Sequence, residues 1–198
     1  QLAPTHVLVN VDENRQDIVA AVKAMGAELL VTHPKAPEDN LALVDQFVAV
    51  FGRLPGVAER AARLNEALRD ELARSGAGGH PPCRVLYLIW HDPWMTVARD
   101  TYISRMLASV HWQTQPVVQG GEHGAARYPV VLGDEPWLAS VQRVLLSSEP
   151  FRFSQAHAAQ AQALCPQAVV QRVDGELLSW YGARAVPGLR YLRELASA

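Results

Sequence analysis

Three apolar runs in this 198-residue chain each end in side chains suited to gripping a ligand. Arg84-Val85-Leu86-Tyr87-Leu88-Ile89 opens into Trp90-His91-Asp92-Pro93-Trp94-Met95. Val144-Leu145-Leu146 empties into Ser147-Ser148-Glu149-Pro150, and Val169 to Val173 leads through Asp174-Gly175-Glu176 to Ser179-Trp180-Tyr181-Gly182. In open α/β sheets ligands bind beyond the carboxyl ends of the strands, where the following loops diverge and leave a crevice. Three strands that deliver indoles, phenols, an imidazole and carboxylates to one edge therefore describe a binding cleft, and no catalytic residue is needed to explain them. The same aromatics also serve to cap a sheet edge. Trp112 and Trp137 are expected within or beside helices, as plain core.

Hydrolytic chemistry has weak support. Ser147, Ser148, Glu149, His91, Asp92 and Asp174 supply the residue types of a nucleophile, a base and an orienting group. There is, however, no GxSxG, no P-loop and no GxGxxG after a strand. His91 with Asp92, and Glu122 with His123, are the best metal-like pairs. A structural zinc site wants four ligands, often paired at short intervals, and the seven histidines are scattered singly, so no protein metal site is assigned. Cys83 and Cys165 form no CxxC, and two cysteines neither demand nor exclude a disulfide.

Composition bounds the remaining choices. The hydrophobic fraction of 49% is enough for a real core. A formal charge of −2, with Lys23 and Lys35 the only lysines, gives no basic stripe for phosphate backbones and argues against nucleic acid as partner. No apolar run approaches the roughly 20 residues that cross a bilayer. The chain begins at Gln1 without methionine, which leaves a removed leader or a longer protein open.

The elements that must position these groups alternate. His6–Val11 is a strand, 14–25 a helix ended by Gly26, Leu29–Thr32 a strand, and a helix beginning near Pro37 carries Leu41, Val44, Phe47, Val48 and Phe51 on one side. From Val57 to Ser75, Val57, Ala61, Leu64, Leu68 and Leu72 recur every three or four residues, the period of one helix face. Such a helix spans roughly 30 Å, enough to join two lobes. Ser75-Gly76-Ala77-Gly78-Gly79-His80-Pro81-Pro82 follows as a linker. Beyond it come the strand at 84–90, a helix at 100–110, a loop over 120–124, a short helix at 135–141, the strand at Val144, a helix at 154–164, the strand at Val169 and a last helix at 183–196. The expected organisation is a partial amino-terminal α/β lobe over 1–55, a connecting helix over 56–76 and a carboxyl-terminal α/β lobe over 77–198, each with a mostly parallel sheet.

That order, with the segments THVLVNVDENR, THPKAPEDN, RVLYLIWHDPWMTVARDTYISRML, LLSSEPF and DGELLSWYGARA, resembles the helical-backbone substrate-binding proteins of ABC importers, in particular a vitamin B12-binding-like subgroup. The resemblance covers nearly the whole chain. It implies an α/β fold of two Rossmann-like lobes joined by one long helix, as in class III periplasmic binding proteins, with the first part of lobe one missing. It further implies a corrinoid held between the lobes, no intrinsic cofactor, an ABC permease as partner, and a periplasmic location or a lipid anchor. Iron-siderophore or haem binding is the alternative ligand class, and a cytoplasmic corrinoid- or tetrapyrrole-handling enzyme the alternative activity. A corrin is a broad flat disc, for which rigid aromatic faces with polar handles are suited. The ligand-facing candidates are Trp90, His91, Trp94, Tyr102, Tyr128, Glu149, Trp180, Tyr181 and Arg184. His91 is the first choice for an axial imidazole. Tyr128-Pro129 and Trp180 resemble cleft-lining positions, and Glu135 resembles the glutamate that docks on a permease arginine. Glu135 also suits a helix amino terminus, where negative charge is favoured.

Overall fold

A computed structural model describes residues 3–11, 14, 16–122 and 124–198. The elements in chain order are β1 (His6–Asn10), α1 (Gln16–Ala24), β2 (Glu28–Thr32), α2 (Asp39–Phe51), α3 (Val57–Ala77), β3 (Cys83–Leu88), β4 (Trp94–Met95), α4 (Tyr102–Ala108), β5 (Trp112–Thr114), β6 (Val130–Val131), β7 (Arg143–Ser147), α5 (Gln155–Leu164), β8 (Val169–Val173), α6 (Gly175–Ser179) and α7 (Ala185–Ser197). β1 and β2 form a parallel pair. On the other side of α3, four parallel strands follow the order β5-β3-β7-β8, and β4 pairs with β6 as a small antiparallel ribbon.

β3 reads as a continuous apolar run because helices cover both faces of its sheet. Successive side chains alternate between the two faces. Val85 and Tyr87, with Leu145 of β7, join a core with Leu68, Met106, Leu107, Trp112, Leu178 and Leu189, contributed mostly by α3, α4, α6 and α7. Leu86 and Leu88, with Val144 and Leu146, join a second core with Val131, Leu138, Phe153 and Ala161. The helices on these faces are capped locally. Thr101 accepts from the Ser104 amide at 3.3 Å, and Asp174 accepts from the Leu177 amide at 3.1 Å. Ser154 and His157 form a reciprocal capping box at the start of α5.

α3 packs against α2 of the first lobe and α7 of the second. Its contact with α7 is ionic as well as apolar. The Glu71 carboxylate is buried and accepts from Arg190 and Arg193 of α7, each at 3.1 Å, and from Arg74 of its own helix at 3.3 Å. Towards α2, Asn65 donates to Asp45 at 3.0 Å.

Several local expectations are corrected. The helix expected to stop at Ser75 runs to Ala77, since Ser75 is fully buried and Gly76 sits in open space within the helix, so the linker is shorter than its glycines suggest. Trp112, expected within or beside a helix, is buried in β5. The segment 136–140 is a 3-10 turn with Trp137 half-buried on the second core. The expected strand at 6–11 ends at Asn10.

Candidate functional site

The carboxyl edge of the four-stranded sheet brings together Trp90, Glu149 and Trp180 of the residues singled out above. Beyond β3, Trp90 is 41% exposed and meets Phe151 edge-on with ring centroids 5.4 Å apart. Beyond β7, the Glu149 carboxylate accepts the Trp180 indole N–H at 2.6 Å and the Ser179 hydroxyl at 3.0 Å, both on Oε1. Trp180, beyond β8 and α6, is 53% exposed. Trp90 and Trp180 are thus linked through the Glu149–Phe151 segment, and both present ring surface to solvent. Gly175 makes this approach possible, because a Cβ there would stand 2.3 Å from Ser147 Oγ and 2.8 Å from Glu149 Cγ. The Gly175 amide also donates to Ser148 Oγ at 2.8 Å, so α6 starts pressed onto the end of β7.

The first lobe meets this edge directly. Asn10, at the end of β1, donates to the Tyr181 hydroxyl at 2.7 Å, and Thr32, at the end of β2, lies 3.3 Å from the same oxygen. Asn40 is fully buried between the lobes. It donates to Pro37 O at 2.8 Å and to the Tyr102 hydroxyl at 3.2 Å, and its carbonyl accepts from the Gly182 amide. Tyr102 and Tyr181 face each other edge to face at 6.3 Å. Burial pushes the Tyr102 phenol well above its ordinary range, with Asn40 opposing, so it stays a neutral hydrogen-bonding group. At the rim, Lys35 of the first lobe pairs with Glu122 of the second. Its hydrogen bond and charge hold the Glu122 carboxyl below the usual range.

The remaining candidates divide. His91 and Trp94 turn into an aromatic cluster with Phe151, Phe153 and His157. His91 lies 4.5 Å from Trp94 and 4.7 Å from His157 between ring centroids, and Trp94 stacks on Phe153 at 6.0 Å. Tyr128 is half-buried against the core that holds Tyr87 and Val97. Tyr102, expected to face a ligand, is 7% exposed and serves the contact between lobes. Arg184 pairs with Glu176 at 3.3 Å in solvent. Glu135 folds its carboxylate back onto the amides of Leu132, 2.9 Å, and Gly133, 2.8 Å, and shapes its own turn. His123 lies outside the described residues. Among those described, no group of three or more His, Cys, Asp or Glu could hold a metal ion. Cys83 and Cys165 are free and buried, and burial raises the Cys165 thiol to about 11.

Asn10, Thr32, Asn40, Phe151 and His157 escaped the sequence reading. The only hint for Asn10 and Thr32 was their position at the ends of strands, and Asn40, in the first turn of α2, had none. Their partners lie up to 171 residues away in the chain.

No family model and no curated protein matches this sequence. Solved structures do. The periplasmic haem-binding protein HutB of Vibrio cholerae superposes with a TM-score of 0.76 at 15% identity, over 98% of this chain and 77% of that one. The periplasmic haem-binding protein BhuT in complex with two haems gives 0.72 at 18%, over 98% and 76%. The periplasmic vitamin B12-binding protein BtuF of Vibrio cholerae gives 0.69 at 16%, over 98% and 75%. Identities this low speak for the fold alone, and that fold is the one of the class III, helical-backbone periplasmic binding proteins: α/β lobes on either side of a single long helix.

Proposed function

We propose that this chain is the substrate-binding component of an ABC importer and takes a corrinoid, a vitamin B12-like chelate, in the cleft between its lobes. The observation that carries this reading is the panel of two exposed indoles, Trp90 and Trp180, flanking the Glu149 carboxylate where the strand ends of both lobes converge. Flat apolar faces bind a flat macrocycle by area at small entropic cost. Names of the structural neighbours as vitamin B12- and haem-binding proteins support a binding rather than a catalytic role, and a site of action outside the cytoplasm. No helix among the described residues is long and apolar enough to cross a membrane. The permease partner would meet the loop at Leu132–Glu135, where Leu132 is exposed beside the Glu135 carboxylate.

Glu149 favours the corrinoid over its rivals. A carboxylate only accepts hydrogen bonds. Ser179 and Trp180 both donate to Oε1, which leaves Oε2 to take an amide N–H from the rim of a corrin. The propionates of haem would bring like charge to the same place, and like charges in a partly desolvated cleft repel. The His91 ring packs against Trp94 and His157.

A fluorescence titration with cobalamin, cobinamide, haem and a ferric siderophore tests the proposal. Cobalamin is expected to quench the indoles, with Trp180→Ala weakening it about tenfold or more, the scale of one buried aromatic anchor. Glu149→Gln should narrow the preference for cobalamin over haem. Haem binding as tight as cobalamin in the unaltered protein would remove the corrinoid assignment while leaving the cleft in place.

A further inference from the structure

A depression of ≈ 300 Å³ lies between α4 and β5, and none of its lining residues belongs to the aromatic edge. β5 is an edge strand, so no further strand covers that side. Two arginines, Arg99 and Arg105, line the depression together with Ser104, Gln113, Thr114 and Gln119. Arg99 is fixed in place: its amide donates to Val118 O at 2.9 Å and its Nε to Thr114 O at 2.8 Å, which leaves the rest of its donor fork uncommitted.

Among the described residues, neither arginine has a carboxylate partner, and no acid lines the depression. The neighbouring acid is already used. Asp100 turns the other way and accepts the Gly120 and Gly121 amides, each at 2.7 Å. Burial also pulls the Arg99 guanidinium below its ordinary range, with no opposing charge to restore it. A partly desolvated cation is costly without an anion beside it.

We propose that this flank is a second binding site, separate from the cleft, for a small oxyanion: a carboxylate or a phosphate monoester gripped by Arg99 and Arg105 with Gln113 and Gln119 as neutral donors. A guanidinium fork matches either oxyanion in a bidentate way, and two forks give selectivity for oxyanions over halide.

Calorimetric titration with inorganic phosphate and with succinate, at fixed ionic strength and with chloride as control, tests it. Saturable binding of at least one oxyanion is expected, with none of chloride. Arg105 is exposed, so Arg105→Gln should fold normally and weaken binding about tenfold, the scale of one charge-assisted pair. Arg99→Lys, which keeps the charge and loses the fork, should also weaken it, and Trp180→Ala should leave it unchanged. Preference for phosphate points to a phosphate monoester, preference for succinate to a carboxylate, and either upholds the site. Absence of saturable heat with both oxyanions, or equal affinity in the protein and Arg105→Gln, overturns it.

Discussion

The two parallel sheets of this protein, β1-β2 and β5-β3-β7-β8, differ in how they are closed from water. In the four-stranded sheet, Val85, Leu86, Tyr87, Leu88, Val144 and Leu145 are all fully buried, and helices lie on both faces. In the two-stranded sheet, Leu8 and Val31 are 52% and 46% exposed, and Val9 is the only buried residue of β1. The larger lobe carries its own core, whereas the smaller one leans on its neighbours: α2 packs on α3, and Asn10, Thr32 and Asn40 bond across to Tyr102, Tyr181 and Gly182. A sheet of two strands rarely stands alone in water, and these contacts supply what it lacks. The polar groups between the lobes therefore hold up one wall of the proposed cleft as well as spacing it.

The sharpest way to break this contrast is Leu145→Ala. Its side chain is fully buried in the larger core, and truncation there should cost about 2–5 kcal/mol in urea unfolding followed by tryptophan fluorescence. A cost below about 1 kcal/mol would show that the four-stranded sheet is not the centre of stability. A smaller effect is expected from Tyr181→Phe, which deletes the hydroxyl shared by Asn10 and Thr32, at about 1 kcal/mol. Hydrogen exchange should locate the loss: amides of β1 and β2 speed up and those of β3 and β7 do not. Uniform acceleration would mean that the smaller lobe has no separate dependence on that contact.

The smallest expected effect lies inside the larger lobe and depends on pH. Burial alone would raise the Asp100 carboxyl, but the Gly120 and Gly121 amides and the Arg127 charge outweigh it and hold it below the ordinary carboxylate range. A carboxyl lowered on folding contributes stability above its unfolded value, and that contribution disappears as pH falls through the lowered folded value. Between pH 7 and pH 3 the protein should lose slightly more stability than Asp100→Asn does. Equal losses would show that the loop after β5 is held by other means. Asp100 is partly exposed, so screening keeps the difference small.

Periodicity made the main frame legible. The Val57–Leu72 stripe announced α3, and the unbroken apolar run at 85–89 announced a buried strand. Shorter elements carry no such signal. β4 and β6 have two residues each, too few for an alternation, and α6 is a five-residue helix whose Asp174 cap reads equally as a turn. Within the site, Trp90, Glu149 and Trp180 stand where strand ends predicted. Tyr102 does not, because its burial depends on Asn40, 62 residues away, and no local pattern reports a partner at that distance. His91 and Trp94 were likewise read without Phe151, Phe153 and His157, which only the fold brings to them.

The buried grip of Glu71 on Arg190 and Arg193 has a mechanical consequence. It welds the long rod to the bigger half of the molecule, so the rod is part of the chassis and not a joint. If the proposed cleft opens, the turn from α2 into α3 at residues 52–56 is the place left to pivot, with the indole panel as the stationary jaw and the small β-pair as the moving one.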